Sequence, residues 1–285
     1  MNVKTRIMAG GVAGAFLLVA LAVPMSASAA TNAQLSVLHG IPGVTVDVWV
    51  NSKLTLNDFK PATLAGPLSL APATYSVAIT ASDATSATDK VVIGPIDLPL
   101  ADGGNYTAVA HLDTATPAKP TATLFTNDIS KTTPGECRLT VRHVAAAPAV
   151  DVLAGTSPVI RALTNPKEQI LNLAPATISA SVVAAGTTTP ALIGPADVPV
   201  VEGQNTIVYA YGSLADKTLA VAVQTITGLH TPPAGIPAGQ TGAAARAEST
   251  QQTQSTIGFG VLGLLFAAAA AAVLVVTRRN AASRA

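Results

Sequence analysis

Leu35-Ser-Val-Leu-His39-Gly-Ile-Pro-Gly-Val-Thr-Val-Asp47-Val-Trp-Val50 returns 104 residues later as Leu139-Thr-Val-Arg-His143-Val-Ala-Ala-Ala-Pro-Ala-Val-Asp151-Val. His and Asp stand eight positions apart in both copies, and Val-Asp-Val closes each. Self-similarity at a fixed period marks one structural unit used twice. Within the first copy Val44, Val46, Val48 and Val50 alternate with Thr45, Asp47 and Trp49. A period of two is that of a strand with one face on a core.

Outward from this stretch, short β-branched runs alternate with turn signals. The pattern predicts strands at about 34–39, 44–50, 74–80, 90–98, 105–112 and 121–126, separated by Ile-Pro-Gly, Leu-Ala-Pro-Ala, Gly-Pro and Asp-Gly-Gly. Later landmarks also repeat. Leu70-Ala-Pro-Ala-Thr74 matches Leu173-Ala-Pro-Ala-Thr177, and Ile93-Gly-Pro-Ile-Asp97-Leu-Pro99 matches Ile193-Gly-Pro-Ala-Asp197-Val-Pro199. No run in the body carries a helical stripe. Six to eight short strands per repeat point to an all-β chain of two tandem β-sandwiches of immunoglobulin-like size, without the Cys…Trp…Cys pattern of true immunoglobulin domains. The repeats span 31–131 and 132–229 and are joined through Lys131-Thr-Thr-Pro-Gly-Glu136.

The ends predict an address. Lys4 and Arg6, an uncharged run to Pro24 and Met25-Ser-Ala-Ser-Ala-Ala30 have the three parts of a secretory signal peptide over 1–30. Ile257 to Thr277 is 21 residues without a charge, long enough at about 1.5 Å per residue to span a bilayer core of roughly 30 Å. Arg278, Arg279 and Arg284 follow, and basic residues stay on the cytoplasmic side. The expectation is a single-pass protein in the cell membrane. Its ectodomain is extracellular, its transmembrane helix is C-terminal (257–277) and its tail (278–285) is cytoplasmic. Residues 230–256, rich in Pro, Gly, Ala and Gln, read as a linker. Ala238-Gly-Gln-Thr241-Gly242 keeps only the Thr-Gly of a sortase signal.

Composition narrows the function. Charged residues are 11% of the chain against a usual quarter, and the net charge is +1, so there is no basic footprint for nucleic acid. The single cysteine, Cys137, cannot close an intrachain disulfide, so each fold must stand on its core. It reads as a buried apolar filler, with a reactive thiol or an intermolecular bridge as alternatives.

The His-x7-Asp opening, the Leu-Ala-Pro-Ala turn and the Gly103-x-Asn105 and Gly203-x-Asn205 segments resemble the bacterial domain-of-unknown-function family 4397. The resemblance covers roughly 33 to 227. It implies a β-rich, secreted or surface domain, often in tandem, and brings no assigned chemistry. The first copy departs with Gly40-Ile-Pro-Gly, and the second has Thr206-Ile207 where the first has Tyr106-Thr107.

The candidates for chemistry are few. A His39–Asp47 or His143–Asp151 pair would orient a general base, but catalysis also needs a nucleophile or a metal. The structural alternative has the histidine closing the sandwich edge and the aspartate bonding turn amides. A metal site needs three or four ligands. The histidines are His39, His111, His143 and His230, and Tyr211 stands where His111 would repeat. Asp97 and Asp197, after Gly-Pro, read as turn residues. No Gly-x-Ser-x-Gly elbow, phosphate loop or dinucleotide fingerprint occurs. Asn105-Tyr-Thr107 matches the glycosylation sequon by coincidence, and Trp49 reads as packed under a loop or against the second domain, with an exposed sugar contact as alternative.

The reading is a non-enzymatic structural, adhesive or binding module, with no catalytic, cofactor-binding or metal residues assigned and no cofactor. Its partners are the membrane, through the C-terminal helix, and an envelope glycan or surface protein, not nucleic acid. The alternative is an envelope enzyme or metal-dependent carbohydrate-binding module that uses the His/Asp signature.

Overall fold

The structure, a computed structural model, describes residues 30–231. The signal segment before residue 30, the linker beyond 231, the apolar segment 257–277 and the basic tail lie outside the described residues. Among the described residues no helix is long and apolar enough to cross a membrane.

The described chain is all β. The first repeat forms β1 (Ala33–His39), β2 (Val46–Val50), β3 (Lys53–Phe59), β4 (Leu64–Leu70), β5 (Ala73–Ala81), β6 (Val91–Leu100), β7 (Asn105–Leu112) and β8 (Pro120–Thr126). The second forms β9 (Cys137–Ala146), β10 (Val150–Ala154), β11 (Ser157–Leu163), β12 (Lys167–Leu173), β13 (Ala176–Ala184), β14 (Ala191–Val200), β15 (Asn205–Ser213) and β16 (Ala220–Ile226). Each repeat builds two four-stranded sheets, ordered β4-β1-β7-β8 and β3-β2-β5-β6 in the first and β12-β9-β15-β16 and β11-β10-β13-β14 in the second. The β1–β7 and β9–β15 pairs are parallel, and every other pair is antiparallel.

Leu35 and Val37 of β1, Val46 and Val48 of β2 and Ile79 of β5 meet in one core between the first two sheets. Leu139, Val141, Val150, Val152 and Val182 do the same in the second repeat. A third apolar cluster joins the repeats: Leu38, Val109 and Phe125 of the first pack with Val144, Ile207, Tyr209 and Tyr211 of the second. The β1-β7 and β9-β15 sheets therefore pack back to back, each covered on both faces. This explains why β9 is buried along nearly its whole length instead of on alternate residues. Both sandwiches fall in one compact unit.

Two features differ from the sequence reading. Strands β3 and β4, with β11 and β12, fall in segments read as connections. β3 (Lys-Leu-Thr-Leu-Asn-Asp-Phe) is largely exposed and polar on one edge, and it follows β2 through Asn51-Ser52, both at positive φ (48° and 63°). That is a two-residue hairpin turn made without the expected glycine. The Gly-Pro segments before Asp97 and Asp197 are not turns but irregularities inside β6 and β14, where the register slips. Gly94 (φ +94°) and Gly194 (φ +90°) let the backbones approach. A Cβ there would lie 2.6 Å from the carbonyl oxygens of Val77 and Ala180.

Candidate functional site

His39 ends β1 and His143 lies late in β9, both on the inward parity of their strands and both fully buried. His39 Nε2 is 2.8 Å from the Val44 carbonyl oxygen, and Nδ1 accepts from the Ile41 amide at 3.4 Å. His143 repeats the arrangement, with Nε2 3.0 Å from the Pro148 oxygen and Nδ1 accepting from the Ala145 amide at 3.3 Å. A ring that donates from Nε2 and accepts at Nδ1 is neutral. Burial also holds both imidazoles below their ordinary range, partly offset by the carbonyl bond. Each histidine thus closes the loop between two opposing sheets. His39 also stacks on Phe59, with ring centroids 5.7 Å apart.

Asp47 and Asp151 sit on the opposing sheets, in β2 and β10. Opposite each, the partner strand bulges: the register slips between Val46 and Val48 and between Val150 and Val152. The bulged residues Asp58 and Ala162 both have φ 51°. Their amides donate to Asp47 Oδ1 at 2.8 Å and Asp151 Oδ1 at 2.7 Å. Asp151 Oδ2 also accepts from the Gly186 amide at 2.9 Å. A bulge leaves one N–H without a ladder partner, and the carboxylate supplies it. These amide bonds, the Ala162 amide first, hold the Asp151 carboxyl below the usual carboxylate range. The eight-residue spacing is the distance along the chain from a loop-closing histidine to a bulge-capping aspartate.

The remaining candidates are placed as follows. His111 is buried, with Nε2 2.9 Å from Thr123 Oγ1 and Nδ1 3.0 Å from the Leu112 oxygen. Burial lowers its pKa first, and the proximity of His143 adds to this. The register places Tyr211 at the position equivalent to His111. Cys137 is buried and its thiol donates to the Leu173 oxygen at 3.1 Å, while burial pushes the thiol pKa up. Asp97 and Asp197 are exposed on their strands, opposite Ser76 and Ser179. Thr107 of the sequon is fully buried. Trp49 is half-buried on the outer face of its own sheet, its indole N–H donating to Thr80 Oγ1 at 2.9 Å. The second sandwich docks on the other sheet and not against it. Among the described residues no group of three or more His, Cys, Asp or Glu side chains is placed to hold a metal ion.

Sequence reasoning missed the polar network between the sandwiches. Arg142, 1% exposed, donates to Glu168 Oε2 at 2.7 Å and to the Tyr209 hydroxyl at 2.8 Å. The Tyr209 hydroxyl donates to Gln224 Oε1 at 2.6 Å, and Thr107 Oγ1 of the first sandwich donates to the same oxygen at 2.9 Å. Gln224 Nε2 then donates to Ser36 Oγ at 3.2 Å. Burial pushes the Tyr209 phenol up. The signal available in sequence was Arg142 itself, a charge in an apolar strand where the first repeat has Leu38.

Loops of both sandwiches meet at one end in a cleft of about 650 Å³, walled by residues 114–118, 146–149 and 213–216. Asn165 ties its base together, with Nδ2 donating to the Leu112 oxygen at 2.8 Å and the Ala145 oxygen at 2.7 Å. Its lining is small and mostly apolar, alanines and prolines with Leu214, and Thr114, Thr116 and Asp216 supply polar groups among them.

No curated protein matches the chain. A model of the family described as Domain of unknown function (DUF4397) matches residues 33–153, from the first strand of the first sandwich to the β10 aspartate signature of the second.

Proposed function

We propose that the protein is a non-enzymatic binding module displayed outside a bacterial membrane, anchored by the apolar segment 257–277, with two docked sandwiches as its ectodomain. One observation supports this reading above the others: both copies of the His/Asp signature are spent on backbone groups. A general base needs a ring nitrogen facing substrate and a carboxylate behind it. Here the imidazole nitrogens meet a carbonyl and an amide, and the carboxylates cap bulges on the opposite sheet.

A rigid pair of sandwiches holds the end-loop cleft at a fixed distance from the linker, and loops on a rigid scaffold are the usual contact surfaces. The cleft's exposed Thr114 and Thr116 hydroxyls and Asp216 carboxylate, set among small apolar side chains, suit an envelope glycan or a loop of a surface protein. The test uses the full-length protein in membranes. The thermal midpoint is followed with divalent ions, with chelator and with cell-wall glycan fragments. The reading expects ions and chelator to leave the midpoint unmoved, and any glycan shift to be lost on Ala215→Trp, an exposed position on the cleft wall. An ion-dependent shift that disappears in His143→Ala would favour the envelope enzyme or metal-dependent module instead.

A further inference from the structure

The two sandwiches share one topology but not one interior. Between its sheets the first encloses only about 30 Å³, whereas the second encloses about 220 Å³. Strand registers make the positions comparable one by one. Val77 pairs with Ile96 in the first repeat, and the equivalent pair in the second is Ala180 with Ala196. Leu98 becomes Val198 and Leu124 becomes Val223 in the same way. Ala108 and Ala122 run the other way, to Val208 and Val221, without closing the space. The edge between β14 and β16 shows the result. Leu98 is buried at 4%, but Val198 is half-buried and Val223 is 53% exposed.

We propose that this cavity is a binding site for an unbranched aliphatic chain carried by a single-chain amphiphile with an uncharged head group. The lining residues are aliphatic except for Asp197, which is exposed and lies on edge strand β14. No lining side chain offers a buried hydrogen bond, so a polar group inside would go unsatisfied. No aromatic ring lines the cavity to stack on a flat ligand. A carboxylate at the edge disfavours an anionic head. An apolar cavity of about 150 Å³ already stays dry and takes up a small hydrocarbon, and this one is larger. The site is independent of the display reading and of the end-loop cleft.

The test uses the full chain in a fluorinated surfactant, which does not mix with hydrocarbon, and follows the methyl NMR signals of alanine and valine. The probes are 1-hexanol, 1-octanol and octanoate. Octanol is expected to move the Ala180, Ala196 and Val198 methyls saturably, and to bind more tightly than hexanol by roughly fourfold per added methylene. Octanoate is expected to bind more weakly. Ala196→Ile with Val198→Leu restores the first repeat's side chains, and is expected to abolish the shifts while raising the thermal midpoint. Shifts that never saturate, shifts that persist in the filled variant, or equal binding of octanoate would overturn the assignment. A filled variant that melts higher while the native chain shows no octanol shift would mark the cavity as a packing defect only.

Discussion

The guanidinium carbon of Arg142 lies 4.4 Å from the centre of the Phe125 ring, and the two residues belong to different sandwiches. Register makes Phe125 equivalent to Gln224, and Leu38 equivalent to Arg142. The repeats thus present the same positions to each other with different chemistry. The first sandwich presents apolar side chains with the Ser36 and Thr107 hydroxyls, and the second carries a cation, a phenol and an amide. Such complementarity specifies the docked pair, since a second sandwich docked in the same way on its own copy would set Arg142 over Gln224 in place of an aromatic ring.

Arg142→Ala would leave Glu168 without its cation and a void over Phe125. Removing one partner of a buried ion pair costs about 3 to 5 kcal/mol. Arg142→Met keeps the packing without the charge and is expected to cost less. Urea unfolding of both variants checks the order, and equal losses would contradict it.

Asp151→Ala leaves the Ala162 and Gly186 amides without their acceptor and is expected to lower the thermal midpoint. Asp197→Ala, an exposed carboxylate on its strand, is expected to leave the midpoint close to native. Similar midpoints for the two variants would remove the bulge-capping role.

His39, His111 and His143 all have folded pKa values depressed mainly by burial. Below the unfolded imidazole value of about 6.5 the unfolded chain binds more protons than the folded one. Stability is therefore full above that value and is lost as pH falls through it toward the folded pKa values. Asp151, also depressed, adds a second loss below the ordinary carboxylate value, at more acid pH. Denaturant midpoints between pH 7.5 and 5 are expected to fall, less steeply in His111→Gln. A flat profile would mean that the rings titrate normally.

Gly194→Ala places a Cβ 2.6 Å from the Ala180 oxygen at φ +90° and is expected to destabilise by more than about 1 kcal/mol. Gly186→Ala is a useful comparison, because its φ is also positive (+78°) but nothing lies within 4 Å. Unfolding of both separates the clash from the backbone strain.

The strands that cross the cores were legible because their valines and leucines alternate and because the signature repeats. The edge strands β3 and β4, and β11 and β12, were not. Their side chains are largely exposed, so no alternation marks them, and Asn51-Ser52 reaches positive φ without glycine. The inward place of the histidines was readable from strand parity. That the aspartates cap the amides of bulged strand residues, Asp58 and Ala162, and not only turn amides was not, because the bulges lie in strands that no pattern marked. The interface network was not, because Ser36, Thr107 and Gln224 look like ordinary outward-facing residues until a second sheet covers them.

The central claim is that the repeated His/Asp signature holds the fold together and carries no chemistry. It is tested most directly by the thermal midpoint of the full-length His143→Ala protein, measured against native with and without zinc or calcium. The account predicts a clearly lower midpoint for the variant and no ion dependence in either protein. A variant that melts like native, combined with an ion-dependent stabilisation seen only in the native protein, would contradict it.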